Sequence, residues 1–141
     1  MSAFLTRPGA KRPLRIFVVE NHEDTRFLLC LLLEQLGHSV NSAPSLAAAL
    51  EALPALRCDV LISDIGLPDG NGWDLMVRLG NDRPPYAIAM SGFGMSSDRQ
   101  RSLNVGYRHH LLKPVEPNQL ELLLDEAADE TRHLERGQRA T

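Results

Sequence analysis

With 141 residues, of which 43% are hydrophobic and 23% charged, the chain has the length and composition of one globular domain with a substantial core. Its formal charge of −3 at pH 7 argues against a general polyanion binder and leaves room only for a local basic patch. The longest apolar run, residues 27–33, is too short to cross a bilayer, and no apolar segment follows the basic residues near the start. We therefore expect no membrane segment, no secretory signal and a cytoplasmic protein.

The first part of the chain predicts an arm, a strand and a long helix. Residues 1–13 contain prolines, a glycine and basic residues, and we expect them to form a flexible arm. Leu14 to Val19 predict a strand that is apolar on both faces, and a helix then runs to about Leu36 with Gly37 as its left-handed cap. This helix has more large apolar residues than one buried face needs, and we expect the surplus to be buried rather than to form a partner surface. The apolar positions are Phe27, Leu28, Leu29, Leu31, Leu32, Leu33 and Leu36.

Four more strand-and-helix pairs follow. Strands are predicted at 38–43, at 60–62 with Asp64 at the end, at 86–91 and at 108–112. Helices are predicted at 45–54, closed by Pro54, at 72–79, at 96–104 and from Pro117 onward, with a mobile loop at 92–94. Five such units predict a parallel sheet with helices on both faces. We expect the folded domain to cover 14–127, and 128–141 to be the end of the last helix and a tail that frays from Thr131.

Polar residues follow four of the predicted strands, at the point where each strand ends. They are Glu20, Asn21, Asp64, Ser91 and Lys113. The carboxyl ends of parallel strands lie on one edge of a sheet, so we expect these side chains to converge although they are distant in sequence. Each residue alone has an ordinary structural explanation, such as a turn, a cap or a surface charge. Their occurrence together at strand ends favours a functional site.

This set of side chains suits phosphoryl transfer. Asp64 would be the nucleophile that forms an acyl phosphate. Lys113 would hold a phosphoryl oxygen as a point charge, and Ser91 would donate a hydrogen bond to another. The oxygens of Glu20, Asn21, Asp64 and the Gly66 carbonyl would be ligands for Mg²⁺.

Four stretches at the ends of strands resemble the receiver domain of response regulators in bacterial two-component signal transduction. They are Ile16–Asn21, Leu61–Gly70, Met90–Gly92 and Leu112–Val115. The resemblance extends to free-standing single-domain regulators and to the C-terminal receivers of hybrid histidine kinases. It implies a flavodoxin-like (βα)5 doubly wound parallel sheet with strand order 2-1-3-4-5.

The resemblance also implies a mechanism. A histidine kinase or a histidine phosphotransfer protein would phosphorylate Asp64, Lys113 and Ser91 would have the roles given above, and the change would switch a protein-interaction surface for a downstream partner. Ser91 and His110 would be the switch residues, and the Lys113–Pro114 bond would be cis. The protein would then be a phosphoprotein that catalyses its own phosphorylation and dephosphorylation rather than an enzyme acting on other substrates.

Two positions depart from the family pattern. Asn21 stands where the family usually has a second acid, and this replacement removes one negative charge from the implied Mg²⁺ site. His110 stands where the family often has an aromatic residue, which places a titratable ring at the switch position.

Three other functions compete with the phosphoacceptor. Asn21 makes a degenerate receiver plausible, one that serves as a docking module independent of phosphorylation. A haloacid dehalogenase-type phosphatase would need a second acid two residues after Asp64, where this chain has Gly66, so we discount it. Direct control of transcription is also not expected, because the residues after Pro114 are mostly needed for the last helix and leave no room for a helix-turn-helix domain.

Overall fold

The architecture of the protein is given by a computed structural model, which describes residues 12–92 and 96–140, with side chains up to Arg132. Seven strands are assigned in these ranges: β1 Arg15–Val19, β2 Ser39–Ala43, β3 Val60–Asp64, β4 Gly66–Leu67, β5 Gly70–Asn71, β6 Tyr86–Ser91 and β7 His109–Leu112. The helices are α1 Glu23–Gln35, α2 Leu46–Leu56, α3 Gly72–Leu79, α4 Ser96–Val105 and α5 Pro117–Ala140, with a 3-10 turn at Gly80–Asp82.

One parallel sheet of five strands organises the fold. Its order is β2-β1-β3-β6-β7, because the two-residue strands β4 and β5 pair only with each other in the loop after Asp64. Counted along the sheet strands alone, this is the predicted order 2-1-3-4-5, so the flavodoxin-like fold is confirmed. The register brings Val19 opposite Ser63, and Asp64 opposite Met90, so the strands end near one edge.

Both faces of the sheet are covered because its strands are apolar on both faces. Consecutive residues of β1, such as Ile16 and Phe17, point to opposite faces and belong to different core clusters. One cluster joins the sheet to α1 and α5, and the other joins it to α2 and α3. Burial on both faces fixes the positions of the strand ends, and the polar loops at the carboxyl edge begin from these fixed ends.

The expectation that the apolar surplus of α1 is buried is wrong. Phe27 and Leu28 are 66% and 61% exposed, and Leu31 is 41% exposed. The helix meets the sheet along one side only, where Leu33 is fully buried. Positions 27, 28 and 31 lie on the opposite side of a 3.6-residue repeat, so packing against the sheet cannot cover them.

The end of α2 also differs from expectation. Pro54 does not close α2, which continues to Leu56 before Arg57 adopts a left-handed conformation with φ of 51°. A proline in the last turn removes only one backbone hydrogen bond, and the burial of Leu53 beside it outweighs that loss. The backbone of α5 is helical to Ala140, and the buried hydroxyl of Thr131 donates to the Ala127 carbonyl at 3.0 Å; fraying beyond Thr131 stays a prediction.

Two further expectations concern residues outside the described ranges. Residues 1–11 of the predicted arm (1–13) and residues 93 and 94 of the predicted mobile loop (92–94) are not among those described. Over 12–92 and 96–140, no helix combines the length and the apolar composition needed to cross a membrane.

The loop after Asp64 is tied to α2 by the carboxylate of Asp69. Its two oxygens accept hydrogen bonds from the backbone N–H groups of Leu46 and Ala47, at 2.8 and 2.9 Å. These groups are among the unpaired donors at the start of α2, and Ser45 caps a third, on Ala48. The bonds from Ala47 and Leu46 lower the pKa of Asp69, so the ionised carboxylate stabilises both the helix start and the loop.

Replacing Asp69 with alanine should lower the melting temperature by a few degrees at pH 7. A depressed pKa in the folded state gives stability that is present above the unfolded value of about 3.9 and is lost as the pH falls through the folded pKa. The difference between Asp69→Ala and wild type should therefore shrink in acid, in melts followed by circular dichroism from pH 7 down to pH 3. Glu51→Gln, which removes an exposed charge from the same helix, is the control. A pH-independent deficit would contradict the capping role.

Candidate functional site

The predicted site residues meet at the carboxyl edge of the sheet. Glu20 directly follows β1, Asp64 ends β3, Ser91 ends β6 and Lys113 directly follows β7. The ammonium of Lys113 lies between the two acids, 2.5 Å from Glu20 Oε1 and 2.6 Å from Asp64 Oδ2. Glu20 and Asp64 are 1% and 8% exposed, so this ion cluster is largely removed from water.

Backbone hydrogen bonds fix each member of the cluster. The Lys113 N–H donates to the Ser91 carbonyl at 2.8 Å, and the Lys113–Pro114 peptide is cis, as the resemblance implied. Glu20 Oε2 accepts from the backbone N–H of His22 at 3.0 Å. Asp64 Oδ1 accepts from the N–H of Gly66 at 3.3 Å. Both acids therefore have one oxygen held by the backbone and the other by Lys113.

The cluster has two carboxylates and one ammonium, and each of these groups shifts the pKa of the others. Burial raises the pKa of Asp64, and the charge of Glu20 acts in the same direction, although the hydrogen bond from Lys113 opposes both. Burial also raises the pKa of Glu20, but the hydrogen bonds from Lys113 and His22 outweigh it and the net shift is downward. Burial lowers the pKa of Lys113, but its hydrogen bonds with the acids outweigh this and keep it protonated. The site therefore places the buried carboxyl group of Asp64 beside a cation, an arrangement suited to nucleophilic chemistry.

The remaining predicted ligands lie at the rim. Asn21 is exposed. The guanidinium of Arg26 donates hydrogen bonds to the backbone carbonyl of Asn21 at 3.4 Å and to the backbone carbonyl of Glu20 at 2.9 Å. Gly66 is exposed, and the space where a Cβ would lie is open. Within the described ranges, no three His, Cys, Asp or Glu side chains come together as a metal-binding group. A divalent cation here would have two carboxylates and must take its other ligands from neutral oxygens.

Ser91 and His110, the predicted switch pair, are in direct contact. Ser91 Oγ lies 2.7 Å from His110 Nε2, and His110 Nδ1 lies 2.8 Å from Ser102 Oγ. Ser102 also accepts a 2.9 Å hydrogen bond from the indole N–H of Trp73. Neither Ser102 nor Trp73 was predicted from the sequence.

Arg26 was likewise missed. An arginine in the first turns of a helix that follows a strand end could have indicated that it reaches back to the loop carbonyls. No comparable signal marks Ser102, because α4 is polar on all sides and its contact with His110 depends on tertiary packing.

An apolar cavity of about 510 Å³ adjoins Lys113. It lies between α1 and the chain after β7, and it is lined by Thr25, Leu28, Leu29, Leu32, Met90, Lys113, Pro114 and Val115. Leu28, one of the exposed residues of α1, therefore lies on the same surface as the ion cluster around Lys113.

Comparisons with known proteins agree with this geometry. A family model described as the response regulator receiver domain matches residues 16–125. An uncharacterized 14.6 kDa protein of Leptolyngbya boryana is 36% identical over 110 residues, which cover 74% of this chain and 82% of that protein. The virulence sensor protein BvgS of Bordetella bronchiseptica is 33% identical over 123 residues, 82% of this chain but 10% of BvgS.

Other relatives are matched over only part of their length, whereas the solved structures below are matched over nearly their whole chains. The transcriptional regulatory protein FixJ of Bradyrhizobium diazoefficiens is 28% identical over 113 residues, 79% of this chain and 55% of FixJ. A CheY-like response regulator receiver domain protein of Methanospirillum hungatei matches with a TM-score of 0.80 and 26% identity, over 86% of this chain and 98% of that one. A two-component response regulator of Clostridium difficile matches with a TM-score of 0.79 at 22% identity, over 83% and 97%, and this supports the fold alone.

Replacing Lys113 with methionine should destabilise the metal-free protein by about 1–3 kcal/mol at pH 7. This is less than the about 3–5 kcal/mol of a fully buried pair, because Lys113 keeps some contact with water. Without the ammonium, the two carboxylates repel and the pKa of Asp64 rises further. A carboxyl group whose pKa is raised in the folded state contributes stability that is lost as the pH increases. The stability deficit of Lys113→Met relative to wild type should therefore grow from about pH 4 to pH 7.

Urea unfolding at several pH values measures this deficit. Lys113→Arg, which keeps a cation, should recover part of the stability. Equal stability of wild type and Lys113→Met at pH 7 would contradict the account of the ion cluster.

Proposed function

The chain belongs to the response regulator receiver domain family, and on that premise we propose that it accepts a phosphoryl group on Asp64 from a histidine kinase or a histidine phosphotransfer protein. The observation that carries the proposal is the ion cluster, in which Lys113 contacts both Glu20 and Asp64. A buried acid beside a cation, at the carboxyl edge of a parallel sheet, is suited to nucleophilic attack on phosphorus.

The step is a direct displacement. A carboxylate oxygen of Asp64 attacks the phosphorus of a phosphohistidine, so a P–O bond forms as the P–N bond breaks and the imidazole leaves with the bonding electron pair, to be protonated by solvent. Lys113 donates a hydrogen bond to a phosphoryl oxygen and balances its charge. Ser91 donates to a second phosphoryl oxygen. Hydrolysis of the acyl phosphate by water returns the free carboxylate.

We further propose that Mg²⁺ assists at this site. The oxygens available to it are the carboxylates of Glu20 and Asp64, the amide of Asn21 and the carbonyl of Gly66, a set that suits this hard cation. When bound, the metal would neutralise charge on the transferring group. Asn21 makes the site less anionic than one with a third acid, so we expect a weak affinity rather than none.

The partner that supplies the phosphoryl group would dock on α1. Phe27, Leu28 and Leu31 are exposed there, and Leu28 also lines the apolar cavity beside Lys113. A partner that covers these residues would bring its phosphohistidine close to Asp64. We propose that the chain catalyses only its own phosphorylation and dephosphorylation, and that the modified state is recognised by a downstream protein.

A degenerate receiver that docks without being phosphorylated is the second candidate. The observation in its favour is the pair of carboxylates at the site, with the exposed Asn21 in place of a third acid. The mass of the intact protein after incubation with acetyl phosphate and Mg²⁺ distinguishes the two, since only the phosphoacceptor gains a phosphoryl group.

Asp64→Asn should reduce phosphoryl incorporation below detection while the fold is retained, because an amide cannot form the acyl phosphate. The assay is transfer of radiolabel from a phosphorylated histidine kinase, with circular dichroism as the check on folding. Asp82→Asn, the same change in the exposed 3-10 turn before β6, is the matched control. Labelling of Asp64→Asn at the wild-type rate would refute the assignment.

Asn21→Asp should raise the phosphorylation rate at limiting Mg²⁺, because it restores an anionic oxygen at the proposed metal site. The added charge also repels Asp64, so the melting temperature should fall in chelator and recover as Mg²⁺ is added. Phosphorylation rates and calorimetric melting temperatures, each measured across a Mg²⁺ titration, report the two effects, and Asn81→Asp, in the exposed turn before β6, is the control. No change in the Mg²⁺ dependence of phosphorylation or of melting would mean that Asn21 is not a ligand, and would favour the docking module.

A further inference from the structure

Four side chains form a continuous path of hydrogen bonds from α3 to the phosphoryl-transfer site. Trp73 donates to Ser102, Ser102 contacts His110 Nδ1, and His110 Nε2 contacts Ser91, with distances of 2.9, 2.8 and 2.7 Å. We call Trp73, Ser102, His110 and Ser91 the polar relay. It joins two helices, α3 and α4, to two neighbouring strands at one side of the sheet, β6 and the edge strand β7.

The middle of the relay is buried. Ser102 is 0% exposed and is the buried residue of α4, whose other described residues are partly or fully exposed. A buried hydroxyl destabilises a protein unless it is hydrogen-bonded, and Ser102 meets this need through Trp73 and His110. An apolar residue would fill the same position without that requirement, so the serine has a role beyond filling space.

The indole fixes the direction of the relay at one end, because a tryptophan N–H can only donate. A neutral imidazole has one donor and one acceptor nitrogen, so the ring permits two arrangements. Burial lowers the pKa of His110, with the charge of Arg99 acting in the same direction and that of Asp98 opposing, so the ring is neutral above pH 7.

In the first arrangement, His110 Nδ1–H donates to Ser102 and Nε2 accepts the proton of Ser91. Ser102 then receives two N–H donors and must place its own proton elsewhere, while the Ser91 proton is held by the ring. In the second arrangement, Ser102 donates to Nδ1, and Nε2–H donates to Ser91. Each member then donates to the next, and hydrogen bonds aligned in this way polarise and strengthen one another.

We propose that Trp73 and Ser102 are positioning residues that hold His110 as the Nε2–H tautomer, which leaves the Ser91 proton for a phosphoryl oxygen on Asp64. This inference rests on the proposed phosphoacceptor function. The phosphoryl group would complete the alignment as an anionic acceptor at the Ser91 end. Every bond back to the indole would become stronger, and the surface around Trp73, where Arg101 lies 4.0 Å over the ring, would sense the modification.

The first test needs no phosphoryl donor. Nitrogen chemical shifts of ¹⁵N-histidine-labelled protein at pH 8 report the tautomer, and the signals absent from His110→Phe identify His110. We expect Nε2 protonated and Nδ1 unprotonated in wild type, and a larger Nδ1–H share in Ser102→Ala. Asn104→Ala, on the exposed side of α4, should match wild type. A dominant Nδ1–H tautomer in wild type, or an unchanged ring in Ser102→Ala, would overturn the proposal.

The second test follows the response at the indole. Trp73 is the only tryptophan in the sequence, so a single indole N–H signal reports the far end of the relay. Beryllofluoride with Mg²⁺, a mimic of the phosphoryl group, should move this signal downfield in wild type and leave it in place in Ser91→Ala and His110→Phe. A signal that stays in place while the mimic is bound at Asp64 would overturn the proposal.

The third test measures rates of phosphorylation. Ser102→Ala and Trp73→Phe should slow phosphorylation by acetyl phosphate about 2- to 10-fold, the effect of weakening one hydrogen bond, and Asn104→Ala should not. Trp73→Phe keeps an aromatic ring against the core but removes the donor together with part of the indole, so circular dichroism must show that the fold is retained. Rates equal to wild type in both variants would refute the positioning role. If wild-type Asp64 accepts neither reagent, the proposed function fails, and the tautomer measurement still decides the relay.

Discussion

The ion cluster of Lys113 with Glu20 and Asp64 is the interaction on which the rest of the site depends. Two buried carboxylates close together repel each other, and the ammonium between them is what allows both to remain ionised. The cluster also joins the ends of β1, β3 and β7, so the geometry of the sheet and the charge balance of the site support each other. The ion cluster is therefore formed within the protein itself and needs no bound partner.

Much of this arrangement could be predicted from the sequence, for a simple physical reason. Strands that are apolar on both faces must lie inside a parallel sheet, and the carboxyl ends of such strands must meet at one edge. That rule alone brings Asp64 and Lys113 together across 49 positions of sequence separation. The position of Asn21 also follows from it, and the structure adds that this side chain lies at the exposed rim.

Features that depend on which face of a helix meets its neighbour could not be predicted in the same way. Helix α1 is apolar nearly all round, so its composition could not tell a buried side from the exposed one that carries Phe27. Ser102 lies on a polar helix with no apolar stripe, and its contact with His110 becomes apparent only when α4 is packed against β7. Pro54 was interpreted by its local preference, which tertiary packing outweighed.

Chemical trapping of the modified residue tests the central claim most directly. Borohydride reduces an aspartyl phosphate to homoserine, so the protein can be phosphorylated by a histidine kinase with Mg²⁺, reduced, digested and sequenced by mass spectrometry. The account predicts homoserine at position 64 and at no other aspartate. Homoserine at another position, an acid-stable phosphate on a serine, or an acid-labile and base-stable phosphate on a histidine would contradict it.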